Sequence, residues 1–273
     1  MPDRAGARRS RPRTPRGTVP LARALSKLGL ASRAEAIALV TAGRVRVGGR
    51  IERDPGRPVV PETLDAVIDG TAAAAPAWRT IALHKPRGVV TTRRDPDGRP
   101  TVYDLLAPLG SGLAPAGRLD LATSGLIVCT NDTRLAAWLT DPRQAVEKEY
   151  VVTVRGRVTP GTVAVLERGL VDRGERLHAH AVRVLKASGR ETHLAVVLTE
   201  GRNREIRRLF AATGHEVTRL RRVRIGGLAL GGLPAGGWHD IHREMLPRFF
   251  PGYSEGRPDR PRRSTRAHDG APL

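Results

Sequence analysis

The sequence has a single cysteine, few aromatic residues and no long apolar run. One cysteine, Cys129, excludes an intramolecular disulfide and a zinc site built on several cysteines, and it fits a reducing cytoplasm. No apolar stretch approaches the ~20 residues of a membrane-spanning helix. The N-terminus has arginines but lacks the apolar segment of a secretory signal. We therefore expect a cytoplasmic protein that has no membrane partner.

Lysine is scarce, whereas arginine is abundant. Lys and Arg together number 47 against 27 Asp and Glu, a formal net charge of +20. A genome rich in G and C explains the preference for Arg over Lys, but it does not explain the excess of bases over acids. Such an excess makes polyanions the first partners to consider, and the planar guanidinium group suits phosphate and base recognition.

Composition divides the 273 residues into five expected segments. The chain is long enough for two modest domains. Both ends are rich in Arg and Pro and poor in apolar residues, which is typical of disordered segments. The expected segments are a basic arm at 1–18, a small domain at 19–70, a linker at 71–78, a larger domain at 79–251 and a tail at 252–273.

The small domain has the pattern of two helices followed by strands. Leucines spaced by three and four residues from Leu21 predict a first helix. Ser32 and Glu35 have the spacing of a capping box, which predicts the start of a second helix. Val45–Val47 alternates as a strand, and Gly48-Gly49 is a hairpin signal. The unit is too small to have a large core of its own.

The larger domain alternates strand and helix signals without a regular period, which predicts an α+β domain with a mixed, largely antiparallel sheet flanked by helices. A helix is predicted from Thr159-Pro160 to Arg168, and an amphipathic helix over Arg204–Thr213. A short helix capped by Asp132 is also expected. The expected strands are Ile81–Leu83, Val89–Thr92, Leu126–Thr130, Tyr150–Val154, Val182–Leu185 and Leu194–Thr199.

The most informative stretch begins at Gly117 and reads Gly-Arg-Leu-Asp-Leu-Ala-Thr-Ser-Gly-Leu-Ile-Val. It places Asp120 in a polar turn that leads into an apolar strand. Taken alone, an Asp in such a turn is usually structural. However, the stretch resembles the signature of RNA pseudouridine synthases, in which the Asp of Gly-Arg-Leu-Asp is the catalytic residue.

Four further stretches match the same family in the same order. They are Leu-His-Lys-Pro-Arg-Gly-Val-Val from Leu83, Lys-Glu-Tyr from Lys148, Glu-Gly-Arg-Asn-Arg-Glu-Ile-Arg-Arg-Leu-Phe from Glu200, and Arg-Val-Arg-Ile-Gly from Arg222. The chain resembles the RsuA/RluB type of ribosomal RNA pseudouridine synthase over about residues 20–245. In that type, a small S4-like RNA-binding domain precedes the catalytic domain.

The resemblance implies an isomerisation that needs neither a cofactor nor a metal. The uracil must first be flipped out of its stack. The bond from N1 to the ribose then breaks, the base turns, and C5 joins the sugar. The resemblance makes Asp120 the nucleophile, and it leaves open whether the carboxylate attacks the sugar or the base.

The resemblance also assigns roles to other residues. Arg207 is the cation beside the catalytic carboxylate, Tyr150 packs on the flipped base, and Leu220 lines the pocket. From Glu200 to Arg224 there are eight Arg, a density that suits a phosphate-binding wall. The expected substrate contacts are Arg118, Leu220, Arg202, Arg204 and Arg208.

The N-terminal unit departs from the family pattern, because Ala34 stands where a further Arg is common. This departure weakens RNA binding there or shifts it along the unit. The expected RNA contacts of the small domain are Arg33, Arg44, Arg46 and Arg50.

Several alternatives to this interpretation remain open. The chain could be a non-catalytic RNA-binding protein with the same fold. It could also be an enzyme that acts on small-subunit ribosomal RNA, although the stretch from Gly201 is closer to the enzymes of large-subunit RNA. A helix-turn-helix DNA-binding regulator is less consistent with the large second domain. His178 and His180 share a strand face but have no third ligand nearby, so no metal site is predicted. We expect a monomer whose partner is ribosomal RNA, either large-subunit RNA or an assembly intermediate.

Overall fold

A computed structural model describes residues 18–72, 77–110 and 112–254. The expected basic arm up to residue 17, residues 73–76 of the expected linker and the tail from residue 255 lie outside these ranges. Among the helices within them, none is both long enough and apolar enough to cross a membrane.

The N-terminal unit packs two helices on a small sheet. The helices are α1, Leu21–Lys27, and α2, Arg33–Thr41. The predicted capping box begins α2, because the Ser32 amide donates to Glu35 Oε2 (2.8 Å) and the Glu35 amide donates to Ser32 Oγ (3.2 Å). The strands are β1 Val19–Pro20, β2 Val45–Val47, β3 Arg50–Glu52, β4 Pro58–Val59, β5 Ala66–Ile68 and β6 Thr71–Ala72. Here β1 pairs with β4, and the other four strands lie in the order β3-β2-β5-β6.

The larger unit is built on a long sheet with helices against it. Its helices are α3 Val102–Leu106, α4 Thr133–Thr140, α5 Pro160–Arg168, α6 Glu205–Ala212 and α7 Leu246–Phe249. Its strands are β7 Thr80–Lys85, β8 Ala114–Pro115, β9 Ser124–Thr130, β10 Lys148–Arg155, β11 Leu170–Asp172, β12 Glu175–Leu177, β13 Ala181–Ala187, β14 Glu191–Leu198, β15 Val217–Ile225, β16 Leu228–Ala229 and β17 Trp238–Asp240.

Within the described ranges, nine of these strands form one sheet. Seven lie in the order β13-β14-β10-β15-β9-β7-β17, with β16 beside β15 and β8 beside β9. Neighbouring strands are antiparallel except β9 and β15, which are parallel. The α+β class and the mixed, largely antiparallel sheet are therefore confirmed. The parallel pair divides the sheet into two antiparallel halves.

Predicted helix starts are confirmed at two places in the larger unit. The Asp132 carboxylate accepts from the amides of Arg134 and Leu135 at the start of α4. Thr159 caps α5, with Pro160 at its first position. Both caps satisfy amides that a helix leaves without partners at its N-terminus.

One predicted strand of the larger unit is wrong, and the central strand of its sheet was not predicted. Val89–Thr92 is not a strand, because in this segment only Val90 makes a β-bridge, to Thr101, and Gly88 turns the chain with φ +82°. Residues 217–225 form the central strand β15, which the sequence did not predict because four arginines obscure its apolar alternation. The sheet supplies hydrogen-bond partners on both sides of β15, which overrides its polar composition.

Gly125 marks where the two halves of the sheet meet. In the parallel register it lies opposite Arg222, and its φ is +117°. A Cβ placed on Gly125 would lie 2.2 Å from the backbone oxygen and 2.6 Å from the backbone nitrogen of Arg222. Only glycine permits so close an approach of the two strands. Because β9 follows directly on the Asp120 turn, the crossing places that turn next to β15.

Candidate active site

A pocket of about 580 Å³ lies along the junction of β9 and β15. This volume falls within the ~300–1,000 Å³ of small-ligand pockets. Leu119, Ile206 and Leu220 supply apolar lining, and Asp120 and Tyr150 supply polar groups. The pocket therefore draws on the loop before β9, on β10 and β15, and on the start of α6.

Asp120 lies in a loop that is fixed from two sides. The Thr91 hydroxyl donates to the carbonyl of Leu119 (2.8 Å), and it also accepts from the Leu119 amide (3.3 Å). The Gly88 amide donates to the carbonyl of Leu121 (2.9 Å). The Asp120 side chain is 35 % exposed and lines the pocket. The backbone is thus held on both sides of the carboxylate, which remains accessible.

Among the described residues, the cation nearest to Asp120 belongs to Arg204. Its Nη1 lies 3.7 Å from Asp120 Oδ2. Arg204 precedes α6 in the left-handed conformation (φ 49°, ψ 33°), so the predicted helix start at Arg204 is shifted to Glu205. A non-glycine residue in this conformation costs about 1–3 kcal/mol and persists only where its surroundings enforce it.

Arg207 was expected to pair with Asp120, but its guanidinium has other hydrogen-bond partners. Its guanidinium donates to the carbonyls of Val217 (2.9 Å) and Ala122 (3.3 Å). Burial lowers the pKa of Arg207, and the charge of Arg204 acts in the same direction, whereas the charge of Asp120 acts in the opposite direction. Because Ala122 belongs to the Asp120 loop, Arg207 holds that loop against β15, whereas Arg204 forms the ion pair expected of Arg207.

Tyr150 and Arg222 form the opposite wall of the pocket. They are direct partners in the register of β10 and β15. The Arg222 guanidinium carbon lies 6.0 Å from the centre of the Tyr150 ring, and Nη1 donates to the Tyr150 hydroxyl at 3.4 Å. Arg222 Nε donates to the carbonyl of Leu126 (2.7 Å). Leu220 lies two residues before Arg222 and faces the same side.

Arg222 is buried without a carboxylate partner among the described residues, and its Nη2 has no hydrogen-bond partner there. In the sequence, Arg222 is recognisable only as the first residue of the Arg-Val-Arg-Ile-Gly motif. The signal available was its period-two spacing from Leu220, once β15 is read as a strand. A buried donor of this kind is suited to a polar atom of a ligand.

Two lysines lie close to the pocket. Lys85 is fully buried, and its Nζ donates to the carbonyls of Val89 (2.6 Å) and Pro86 (3.0 Å). Burial lowers the pKa of Lys85 to about 8, although Asp120 acts in the opposite direction. Lys148 lines the pocket, and burial and then Arg222 lower its pKa to about 8, against the effect of Glu205. Through its bonds to Pro86 and Val89, Lys85 holds the turn that contains Gly88, and Gly88 contacts the Asp120 loop.

The remaining predicted substrate contacts divide into two groups. Arg118, Arg202 and Leu220 line the pocket, as does Arg204. Arg208 does not line it, because its guanidinium forms ion pairs of 2.5 Å with Asp172 and Glu175 and its side chain is only 12 % exposed. The expectation that Arg208 contacts substrate is therefore not supported by its position. Arg208 instead fixes the β11–β12 hairpin on α6.

The predicted RNA contacts of the N-terminal unit are all exposed. Arg44 donates to both carboxylate oxygens of Asp69, and Arg46 donates to the carbonyl of Gly49 (3.3 Å). Arg33 stands at the start of α2, and Arg50 at the start of β3. The unit contacts the larger one through an ion pair of 3.6 Å between Glu35 and Arg93.

The two histidines weighed as metal ligands face different carboxylates. His178 Nδ1 lies 3.6 Å from Glu200, and His180 Nε2 lies 4.0 Å from Glu147. Among the described residues, no group of three or more His, Cys, Asp or Glu side chains is arranged to hold a metal ion.

Comparison with known proteins matches both units. Residues 79–212 match the family model described as RNA pseudouridylate synthase, and residues 19–64 match the S4 domain. The chain is 41 % identical over 232 residues to the ribosomal large subunit pseudouridine synthase B of Escherichia coli (strain K12), covering 81 % of this chain and 78 % of that protein. It is 35 % identical over 227 residues to an uncharacterized RNA pseudouridine synthase of Aquifex aeolicus (strain VF5), covering 83 % and 91 %.

A solved structure described as a crystal structure of pseudouridylate synthase has a similar fold. The TM-score is 0.58 at 25 % sequence identity, and the match covers 85 % of this chain and 99 % of that one. The similarity therefore extends across both units.

Proposed function

The chain belongs to the RNA pseudouridylate synthase family and isomerises uridine in ribosomal RNA, and on this premise we propose that Asp120 carries out the reaction in the pocket between β9 and β15. One observation carries the proposal. The Asp120 carboxylate lines a pocket large enough for a nucleoside, on a loop held by Thr91 and Gly88, with the Arg204 guanidinium 3.7 Å away.

The reaction conserves all atoms of the nucleotide. The bond between C1′ and N1 breaks and a bond between C1′ and C5 forms, while C5 loses a proton and N1 gains one. A carboxylate nucleophile divides this exchange into two easier steps. Asp120 attacks either C1′ or the uracil ring, and both routes require the ionised carboxylate that an adjacent cation favours.

The pocket supplies the contacts that a flipped uracil requires. Tyr150 offers a ring face for stacking, and Leu220 offers an apolar surface beside it. Arg222 keeps Tyr150 in place through its hydroxyl and has a buried donor, Nη2, without a partner among the described residues. Extruding a base costs a few kcal/mol, which stacking and hydrogen bonds inside the pocket repay.

The substrate that we propose is large-subunit ribosomal RNA. Relatives that carry this assignment in their names are 41 % identical to the chain over four-fifths of its length. The S4 domain holds the RNA by phosphate contacts from Arg33, Arg46 and Arg50, whose side chains are exposed. Arg44 joins them after exchanging its Asp69 partner for phosphate.

The test uses ribosomal RNA from a strain that lacks the gene. Wild-type protein is expected to form pseudouridine at one site of large-subunit RNA, mapped by chemical modification and reverse transcription. Asp120→Asn changes the shape little but supplies no nucleophile, so it is expected to bind the RNA and form no product. Product from Asp120→Asn within about tenfold of wild type, well short of the roughly 100-fold that even a general acid or base contributes, would contradict the role of Asp120. Product confined to small-subunit RNA would contradict the proposed substrate.

A further inference from the structure

Two glutamates and an arginine close the loop that precedes α6. The Arg202 amide donates to Glu205 Oε2 (3.0 Å), and the Glu205 amide donates back to the carbonyl of Arg202 (3.3 Å). The Arg202 side chain donates through Nε to Glu200 Oε2 (2.9 Å). These bonds span Asn203 and Arg204, so the ring fixes the backbone that carries Arg204.

The side chains of the two glutamates also lie within hydrogen-bonding reach of each other. Their Oε1 atoms are buried, and neither receives a hydrogen bond from an N–H or hydroxyl group of the described residues. Two carboxylate oxygens can approach in this way only if one of them carries a proton. Glu205 is only 3 % exposed and therefore holds that proton more readily than Glu200 does.

We propose that Glu205 in its protonated form is a positioning residue, whose hydrogen bond to Glu200 keeps the loop closed and aims Arg204 at Asp120. The left-handed backbone of Arg204 is the conformation that such a closed loop enforces. The inference rests on the proposed role of Asp120, because the expected effect passes through the ion pair of Arg204 and Asp120.

The direction of the pH effect follows from the groups around the pair. Burial, and next the hydrogen bond to Glu200, raises the pKa of Glu205 to about 7. Burial also works to raise the pKa of Glu200, but the hydrogen bonds from Glu205 and Arg202 outweigh it and lower that pKa. The other charged groups facing the pair are Arg202, His178 and Lys148. Above about pH 7 the shared proton is lost and two buried carboxylates face each other, which opens the loop.

The experiment compares pH profiles of the saturated single-turnover rate on large-subunit ribosomal RNA from the deletion strain. Wild type is expected to lose rate several-fold between about pH 7 and 8.5, as the proton leaves. Glu205→Gln keeps a donor to Glu200 and cannot ionise, so it is expected to match wild type at pH 6.5 and to keep its rate at pH 8.5. Glu205→Ala opens the loop at every pH and is expected to lose about tenfold or more throughout, as misplaced catalytic groups do.

Glu216→Gln is the matched control, because Glu216 is exposed and pairs with Arg155 at 2.9 Å, outside the pocket lining. It is expected to follow the wild-type profile. A Glu205→Gln profile that falls above pH 7 as wild type does would overturn the inference, and so would a Glu205→Gln rate as low as that of Glu205→Ala. If Asp120→Asn keeps the wild-type rate, the proposed function fails instead, whatever the Glu205 variants do.

Discussion

Gly125→Ala tests whether the close crossing of β9 and β15 is what holds the Asp120 loop in place. The new Cβ would lie 2.2 Å from the Arg222 carbonyl oxygen, and ordinary contact at that point requires the strands to separate by about 1 Å. The φ of +117° adds backbone strain of about 1–3 kcal/mol. Forcing the strands apart adds about 1–3 kcal/mol more, as overpacking does. We therefore expect a loss of roughly 2–6 kcal/mol in the free energy of unfolding.

The same displacement is expected to lower the saturated rate, because a misplacement of about 1 Å can cost about 100-fold. Urea unfolding followed by tryptophan fluorescence measures the first effect, and single-turnover formation of pseudouridine the second. Gly49→Ala is the control, since Gly49 has φ +76° but no atom near its Cβ position, and it is expected to lose only about 1–2 kcal/mol and no rate. Equal losses in the two variants would refute the argument, because backbone strain alone would then account for both.

Three further predictions concern charged and buried side chains. Arg204→Ala is expected to lower the saturated rate, because it removes the ion pair with Asp120. Arg208→Ala is expected to leave that rate unchanged and to lose about 1–3 kcal/mol in stability, because the charged hydrogen bonds of Arg208 hold the β11–β12 hairpin. Similar rates for the two variants would contradict the ion-pair assignment. Because burial lowers the pKa of Lys85 to about 8 from 10.5, the unfolded chain holds the Lys85 proton over a pH range in which the folded chain has lost it, so Lys85 contributes stability that grows over that range. The slope of stability against pH is therefore expected to be less positive in Lys85→Met than in wild type, and equal slopes in urea titrations would count against this. Burial raises the pKa of the Cys129 thiol to about 12, so a thiol reagent is expected to label it only at the rate of unfolding, and prompt labelling of the native protein would disprove this.

The fold class was predictable because local signals agreed with the final structure. The Ser32–Glu35 capping box and the Thr159-Pro160 helix start both appear where the sequence placed them. Each depends on side chains within one turn of the backbone, so the local sequence is enough to indicate it. The strand over residues 217–225 could not be found in this way, because its neighbours β9 and β10 are far away in sequence.

The candidate site was predictable in its residues but not in their geometry. The resemblance placed Asp120, Tyr150 and Leu220 together, and the structure puts all three around one pocket. It named Arg207 as the partner of Asp120, whereas Arg204 forms that ion pair, because the contacts of both residues depend on where α6 begins. That start is set by the left-handed backbone of Arg204 and by the side chain of Glu205, neither of which follows from helical periodicity.

The parallel pairing of β9 and β15 also determines when the site can exist during folding. Each half of the sheet can form antiparallel pairs on its own, but the junction joins Gly125 to Arg222, about a hundred residues further along the chain. Contacts between residues so distant in sequence require closure of a long loop and form slowly. A chain emerging from a ribosome can therefore fold its S4 domain before Asp120 acquires its pocket. It gains the means to hold RNA earlier than the means to modify it.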